Sequence, residues 1–347
     1  MAKEESFTKL PVINFSRFLN GSAKERQEVA DEIGDACRRV GFFYLSDHGI
    51  SQDLQDRVFA ESKKFFALPL EEKLKLKKAG PICFPGYIPL CTERISRLGD
   101  YKEVFNCVHE LPADDEYYQM QGADLYKGNV WPDNLPTFRR TIYDEYLTAM
   151  IDLADKVMES YALTLQLPAD WFKPITRKPI AVARLAYYPS FSCELSQDQL
   201  SCGAHTDDNG VTLLMQQEGV CGLQVKNGQG EWIDAVPIHG TIVVNIGDLV
   251  ERWSNGHFKA TEHRVLMQPG VERYSAIVFH TPDYHATIEC CVKDEIPKYP
   301  AIIAGDFIKN RGEAHSKPLD QWTDNEQNLI SAEEYSLKLR ADVNQKH

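Results

Sequence analysis

Between residues 181 and 280 seven short β-rich runs follow one another at hairpin spacing: Ala181 to Tyr188, Val211 to Gln216, Gly222 to Lys226, Glu231 to Val236, Thr241 to Ile246, Lys259 to Leu266 and Arg273 to His280. The stretches between them carry Glu218-Gly-Val, Asn227-Gly-Gln-Gly and Pro269-Gly, the residues that tight reversals need. Serial runs of this kind pair antiparallel. They predict a sandwich or small barrel and argue against a parallel sheet.

The chain before residue 180 has a different texture, and helical periods dominate it. Leu10 to Phe15 reads as a short strand, followed by a helix from about Ser22 to Val40 with Val29, Ile33 and Cys37 four apart. Gly41 to Ser46 reads as a second strand, residues 51 to 67 and about 134 to 166 as helices, and 77 to 120 as irregular. Length alone, 347 residues, leaves room for two domains or one large one. The expected organisation is one domain over 1–347. It has a mostly helical part over 1–175, a jelly-roll core over 180–290, and C-terminal helices and a tail over 300–347.

Charge narrows the function classes. The 38 Lys and Arg against 51 Asp and Glu leave a net charge of −13, which repels phosphate backbones and anionic lipid. No nucleic-acid or membrane partner is expected. The nine cysteines form an odd set without a C-x-x-C pair, so reduced thiols are expected rather than a disulfide framework or zinc ribbon. The N-terminus lacks the apolar core of a signal peptide, and the default expectation is a cytoplasmic monomer.

Chemistry concentrates at His205-Thr-Asp207, where a β-run gives way to a loop rich in Gly and Asp, and at His263 in a later predicted strand. In an extended segment residues i and i+2 point the same way, so His205 and Asp207 can share a metal that a histidine from a neighbouring strand completes. Two imidazoles and a carboxylate make the facial triad of non-haem Fe(II) oxygenases, which leaves positions open for cosubstrate and dioxygen. Zinc hydrolases use similar sets, but the helical H-E-x-x-H arrangement is absent. An H-x-D tripeptide by itself is a weak signal, and the residues around it carry the weight.

Those residues are Pro11-Val-Ile-Asn-Phe-Ser, Gly41-Phe-Phe-Tyr, Asp47-His-Gly, Gly86-Tyr, Tyr187-Tyr-Pro, Ala204-His-Thr-Asp, Gly222-Leu-Gln-Val, Asn245-Ile-Gly-Asp, the run from Ser254 to Val265, and Arg273-Tyr-Ser275. Over roughly residues 9 to 310 the sequence resembles, in order, the plant- and fungal-type 2-oxoglutarate-dependent Fe(II) dioxygenases, the superfamily that includes isopenicillin N synthase. The resemblance implies a mainly β fold with flanking α-helices around a double-stranded β-helix, the jelly-roll or cupin-like core. It implies His205, Asp207 and His263 as iron ligands. Arg273 and Ser275 would hold the distal carboxylate of 2-oxoglutarate, through a guanidinium fork and a hydroxyl, with Tyr188 reaching the same group. Where many plant members carry Asn, this chain has Ala186.

The implied reaction couples oxidative decarboxylation of 2-oxoglutarate, to succinate and carbon dioxide, with oxidation of an unactivated C–H bond. Fe(II), 2-oxoglutarate and dioxygen are the implied cofactors, with ascorbate as accompanying reductant. The substrate is expected to be a small molecule, amino-acid-derived or another specialised metabolite, and the outcome hydroxylation, desaturation or oxidative cyclisation. Val104 and Asn106 alternate on one face of an extended run that borders the substrate in the family, and Phe279 lies on the Arg273 strand. Tyr87 and Arg94 are further candidates for a substrate carboxylate or amine. His257 reads as solvent-exposed, His280 and His285 as structural, as do Asn245, Gly247 and Asp248, and Asn255-Gly256 reads as a hairpin turn. Residues 301 to 311 read as a helix that caps the pocket. Three alternatives stay open: an isopenicillin N synthase-like oxidase that does not use 2-oxoglutarate, a zinc hydrolase, and a non-catalytic module on the same scaffold.

Overall fold

Along the strands of the second half, odd and even residues both carry apolar side chains, so each strand must be covered on two faces. The computed structural model describes residues 6–77, 85–93, 95, 99–119, 123–190, 200–266 and 268–315, and in it the two faces have different covers. An eight-stranded sheet runs in the order Val12–Asn14, Phe42–Ser46, Ile242–Ile246, Val211–Gln216, Arg273–Asp283, Pro179–Tyr188, Glu103–Val108, Gly86–Ile88. A four-stranded sheet runs Cys202–His205, His263–Val265, Leu223–Lys226, Trp232–Asp234. Pairing among the described residues is antiparallel apart from Val12–Asn14 with Phe42–Ser46.

One face of the large sheet, carrying Phe43, Leu45, Leu213, Val244, Ala276 and Val278, packs against the helices. The other face, with Phe42, Tyr44, Ala186, Tyr188 and Val243, meets Cys202, Leu223, Val225 and Val265 of the small sheet. Two antiparallel sheets packed this way, with helices behind the larger one, form the jelly-roll core that the hairpin spacing predicts. The N-terminal part is joined to this core through the strands it adds to the large sheet.

The helix Ala23–Arg39 starts at a capping box, in which Ser22 accepts from the Glu25 amide and the Glu25 carboxylate from the Ser22 amide. It buries Val29, Ile33 and Cys37. It lies against Thr148–Thr164, which continues from a widened π-helical stretch, Arg140–Leu147. A Cβ on Gly34 would stand 1.9 Å from Thr164 Oγ1, so the glycine sets how closely these helices meet.

Several expected boundaries shift. The 77–120 segment is not uniformly irregular: it holds the strand Gly86–Ile88, and the extended run about Val104 and Asn106 is the strand Glu103–Val108. Asn106 and Glu103 are satisfied inside the protein by Arg184 and Lys73. The Lys259–Leu266 run contracts to His263–Val265, because Lys259 N–H donates to Cys37 and Thr261 Oγ1 to Val40 at the end of the first long helix. Asn255-Gly256 is no hairpin. Both residues take positive φ (54° and 78°) and end the helix Asp248–Trp253, where Gly256 N–H donates to Glu251. The helix expected over 301–311 is Ala304–His315, and the tail from residue 316 lies outside the described residues.

Candidate metal and cosubstrate site

His205 ends the strand Cys202–His205 and lies opposite His263 in the antiparallel pairing of the small sheet. Their ring centroids are 4.3 Å apart. His205 Nδ1 lies 2.8 Å from the Gly203 carbonyl and His263 Nδ1 3.2 Å from that of Thr261. With Nδ1–H donating to the backbone, each ring presents Nε2 to the interior. Asp207 Oδ1 stands 3.6 Å from both Nε2 atoms, and the three potential ligand atoms all lie within 4.8 Å of one another. Among the described residues this is the group of His, Cys, Asp or Glu side chains able to hold a metal ion.

The second carboxylate oxygen of Asp207 is committed elsewhere. Oδ2 accepts from Thr212 Oγ1 at 2.5 Å and from Asn245 Nδ2 at 2.7 Å. These bonds point Oδ1 at the imidazoles and make Asn245 more than the turn residue its sequence suggests. Against its burial, the two imidazoles together with the hydrogen bonds from Asn245 and Thr212 hold the Asp207 carboxyl below the usual carboxylate range. Burial and the neighbouring His205 push His263 down, whereas His205, whose own burial acts the same way, is held up by Cys202, Asp207 and the Gly203 carbonyl. The loop carrying Asp207 is sewn to the Asp248–Trp253 helix: Asp248 N–H donates to Asp207 O at 2.8 Å and Leu249 N–H to Asn209 O at 3.2 Å. A Cβ on Gly247 would lie 2.1 Å from Asn209 O, so that approach needs glycine.

A cavity of about 60 Å³ opens beside the triad between the sheets, with Tyr188, Leu214, Leu223 and Ile277 among its walls. Arg273 and Ser275 stand on the same face of the strand as Ile277 and are 4% and 1% exposed. Arg273 pairs across from Tyr188, its guanidinium 4.9 Å from the ring centroid, and Nη2 donates to Gln216 at 3.3 Å. Arg273 Nε and Nη1 and Ser275 Oγ are buried with no hydrogen-bond partner among the described residues. Buried donors are seldom left unmade, and a fork with a hydroxyl beside it matches a carboxylate. Gly222 leaves room for the arginine, since a Cβ there would come within 3.2 Å of Arg273 Cδ.

A second cavity, of about 120 Å³, shares His205 and Asp207 with the first and is walled by Arg184, Phe279, Thr281 and Ile308. Phe279 therefore borders both spaces. Asn106 sits one layer behind, where its Oδ1 accepts from Arg184 Nε at 3.0 Å. Val104 lies in the core between the sheets. Tyr87 does not reach either cavity. It pairs opposite Phe105 and faces the helices, where its hydroxyl donates to Glu103 at 2.6 Å, because a one-residue step along a strand reverses the face. Arg94 lies outside the described residues. His257 is exposed and bonded to Glu295, while buried His280 faces the helices beside Asp155.

Sequence reasoning passed over Arg184, Glu93 and Lys102. Glu93 accepts from Arg184 Nη1 at 2.9 Å and ion-pairs with Lys102 at 2.5 Å, and Lys102 also meets Asp100 at 3.1 Å. Arg184 and Lys102 hold the Glu93 carboxyl down at about 2 despite burial. Alternation along Ala181 to Tyr188 puts Arg184 on the Ala186 and Tyr188 face, and that signal could have found it.

Known proteins share this arrangement. Residues 10–134 match the family described as non-haem dioxygenase in morphine synthesis N-terminal, and residues 179–282 match the 2OG-Fe(II) oxygenase superfamily. A 2-oxoglutarate-Fe(II) type oxidoreductase of Emericella nidulans is 35% identical over 327 residues, covering 89% of this chain and 93% of the relative. The chain belongs to the 2OG-Fe(II) oxygenase superfamily. A homoarginine-6-hydroxylase of Oryza sativa subsp. japonica is 34% identical to this oxygenase, over 87% of the chain and 96% of the relative. The crystal structure of a full-length Neurospora crassa protein in complex with alpha-KG and thymine superposes with a TM-score of 0.78 at 31% identity, covering 88% of this chain and 96% of that one.

The oxygenase is thus a 2-oxoglutarate-dependent non-haem iron enzyme that uses Fe(II) and 2-oxoglutarate and oxidises a small molecule. An iron oxidase that dispenses with 2-oxoglutarate is not what these relatives are. The orphaned donors of Arg273 and Ser275, and the three convergent ligand atoms, fit the two groups.

Proposed function

We propose that His205 and His263 through Nε2, and Asp207 through Oδ1, hold Fe(II), and that Arg273, Ser275 and Tyr188 hold the far carboxylate of 2-oxoglutarate. The unpartnered Arg273 and Ser275 donors support the second assignment. The larger cavity, which touches the triad on one side and Arg184 and Phe279 on the other, receives the substrate, and this shared wall carries the reading. When bound, Fe(II) and 2-oxoglutarate supply the oxidising power, with dioxygen consumed and succinate and carbon dioxide released.

The protein contributes position. Thr212 and Asn245 fix the Asp207 carboxylate. Arg184 is held by Glu93 and Asn106, with its guanidinium 5.4 Å from the Phe279 ring centroid. That combination suits a compact polar substrate with a flat or aliphatic body for the ring. Hydroxylation of a C–H bond on that body is the proposed outcome. Ile180, Val182 and Ile308 supply apolar walls to the same cavity.

The test is a screen of small polar metabolites that scores succinate release with Fe(II), 2-oxoglutarate and dioxygen. A hit should lose at least tenfold in kcat/KM in Arg184→Gln, ~1.4 kcal/mol of transition-state stabilisation, while the KM for 2-oxoglutarate stays within about twofold. Turnover that persists without dioxygen or without 2-oxoglutarate would overturn the reading. A full-strength hit in Arg184→Gln would displace the substrate from this cavity.

A further inference from the structure

The helix Ala304–His315 supplies none of the three metal-facing side chains, yet it is fastened to the loop that carries one of them. Its Arg311 is 4% exposed. Arg311 Nε donates to Asp208 Oδ1, and Nη2 donates to Asp248 Oδ2 at 3.2 Å. Asp208 follows Asp207 directly in the chain. Asp248 is the residue whose amide holds the Asp207 carbonyl at 2.8 Å. One guanidinium therefore clamps both backbone supports of the same carboxylate ligand.

The charges make the clamp specific. Without a cation between them Asp208 and Asp248 face each other as like charges, and a partly buried acid pair of that kind is unfavourable. A guanidinium fork can serve two carboxylates at fixed angles, whereas an ammonium serves them as a point charge. The same helix lends Ile308 and Gly312 to the larger cavity, which Thr206, Asp207 and Asp208 also line.

We propose that Arg311 is a positioning residue for the iron carboxylate: it sets the loop that aims Asp207, and so tunes metal retention from a helix that bears no ligand. The inference rests on the assignment of His205, Asp207 and His263 as the metal site. The experiment is titration of the purified full-length apoprotein with Co(II), followed by its visible absorption, in wild type, Arg311→Gln, Arg311→Lys and His263→Ala, with thermal melts of each. Arg311→Gln should bind Co(II) roughly 10- to 100-fold more weakly, the usual effect of an outer-sphere partner, and should shift the band shape. Arg311→Lys should fall between it and wild type. Because Arg311→Lys retains the charge, it decides the question if Arg311→Gln does not fold. A folded Arg311 variant with Co(II) affinity within twofold of wild type and an unchanged spectrum would overturn the proposal, whatever its melting temperature. Wild-type affinity in His263→Ala would instead overturn the metal assignment.

Discussion

Arg273→Met separates a cosubstrate anchor from a structural arginine. Met is unbranched and has no donors, so it removes the fork while keeping an apolar stem in place of the arginine's. Arg273 Nε and Nη1 are buried and unpartnered among the described residues. Each such donor costs about 1–3 kcal/mol, so the two carry roughly 2–6 kcal/mol of unmet bonding that a carboxylate can satisfy. Against this, the substitution loses one long hydrogen bond to Gln216 and the contact with the Tyr188 ring, together about 2 kcal/mol. Unliganded Arg273→Met should thus be at least as stable as wild type, although the position is 4% exposed. Thermal melts with Mn(II) in place of Fe(II) would read this without turnover. Adding 2-oxoglutarate at roughly 100-fold excess over its Kd should stabilise wild type by about 2.7 kcal/mol, a rise on the order of 5 °C in Tm, and leave the variant within about 1 °C. In succinate-release kinetics the KM for 2-oxoglutarate should rise by roughly a hundredfold or more, since breaking a buried charged pair costs about 3–5 kcal/mol. The KM for substrate should move little. A variant that keeps its ligand-induced shift, or one that loses several kcal/mol before any ligand is added, would refute the reasoning.

Asn245→Ala and Thr212→Val each remove one bond to Asp207 Oδ2, and calorimetric titration with Co(II) should show metal affinity down roughly 10- to 100-fold in either; unchanged affinity in both would contradict the role given to these bonds. Gly247→Ala forces a Cβ to within 2.1 Å of Asn209 O, a backbone atom, so Tm and Co(II) affinity should fall together. A fall in Tm alone would detach Gly247 from the metal loop. Glu93 has its folded pKa lowered from 4.5 to about 2, so its contribution is fully present above about pH 4.5 and disappears as pH falls towards 2. Glu93→Gln should therefore be less stable than wild type by roughly 3 kcal/mol at pH 7, with the gap in denaturant midpoints closing between pH 4.5 and 2; a gap independent of pH would exclude this cause.

How far the site can be read from sequence depends on the range of each contact. Serial antiparallel runs announce the two-sheet core, because a strand's period of two and its turns are local properties. The pairs His205/Asp207 and Arg273/Ser275 are legible for the same reason: each sits two residues apart and shares a direction within its own segment. Strand parity also decides Tyr87, but only once its pairing with Phe105 is known, and that pairing is not written in the Gly86-Tyr87 stretch itself.

The sequence by itself thus determined the fold class and the chemistry of the metal and cosubstrate. Tertiary structure decided which distant residues serve them. Glu93 reaches Arg184 across 91 positions and Arg311 reaches Asp208 across 103. Asn245 reaches Asp207 across 38. A polar side chain taken out of water must find a partner, but the requirement names only the partner's chemistry and not its address. In this fold, packing of helix against sheet and strand against strand supplies that address.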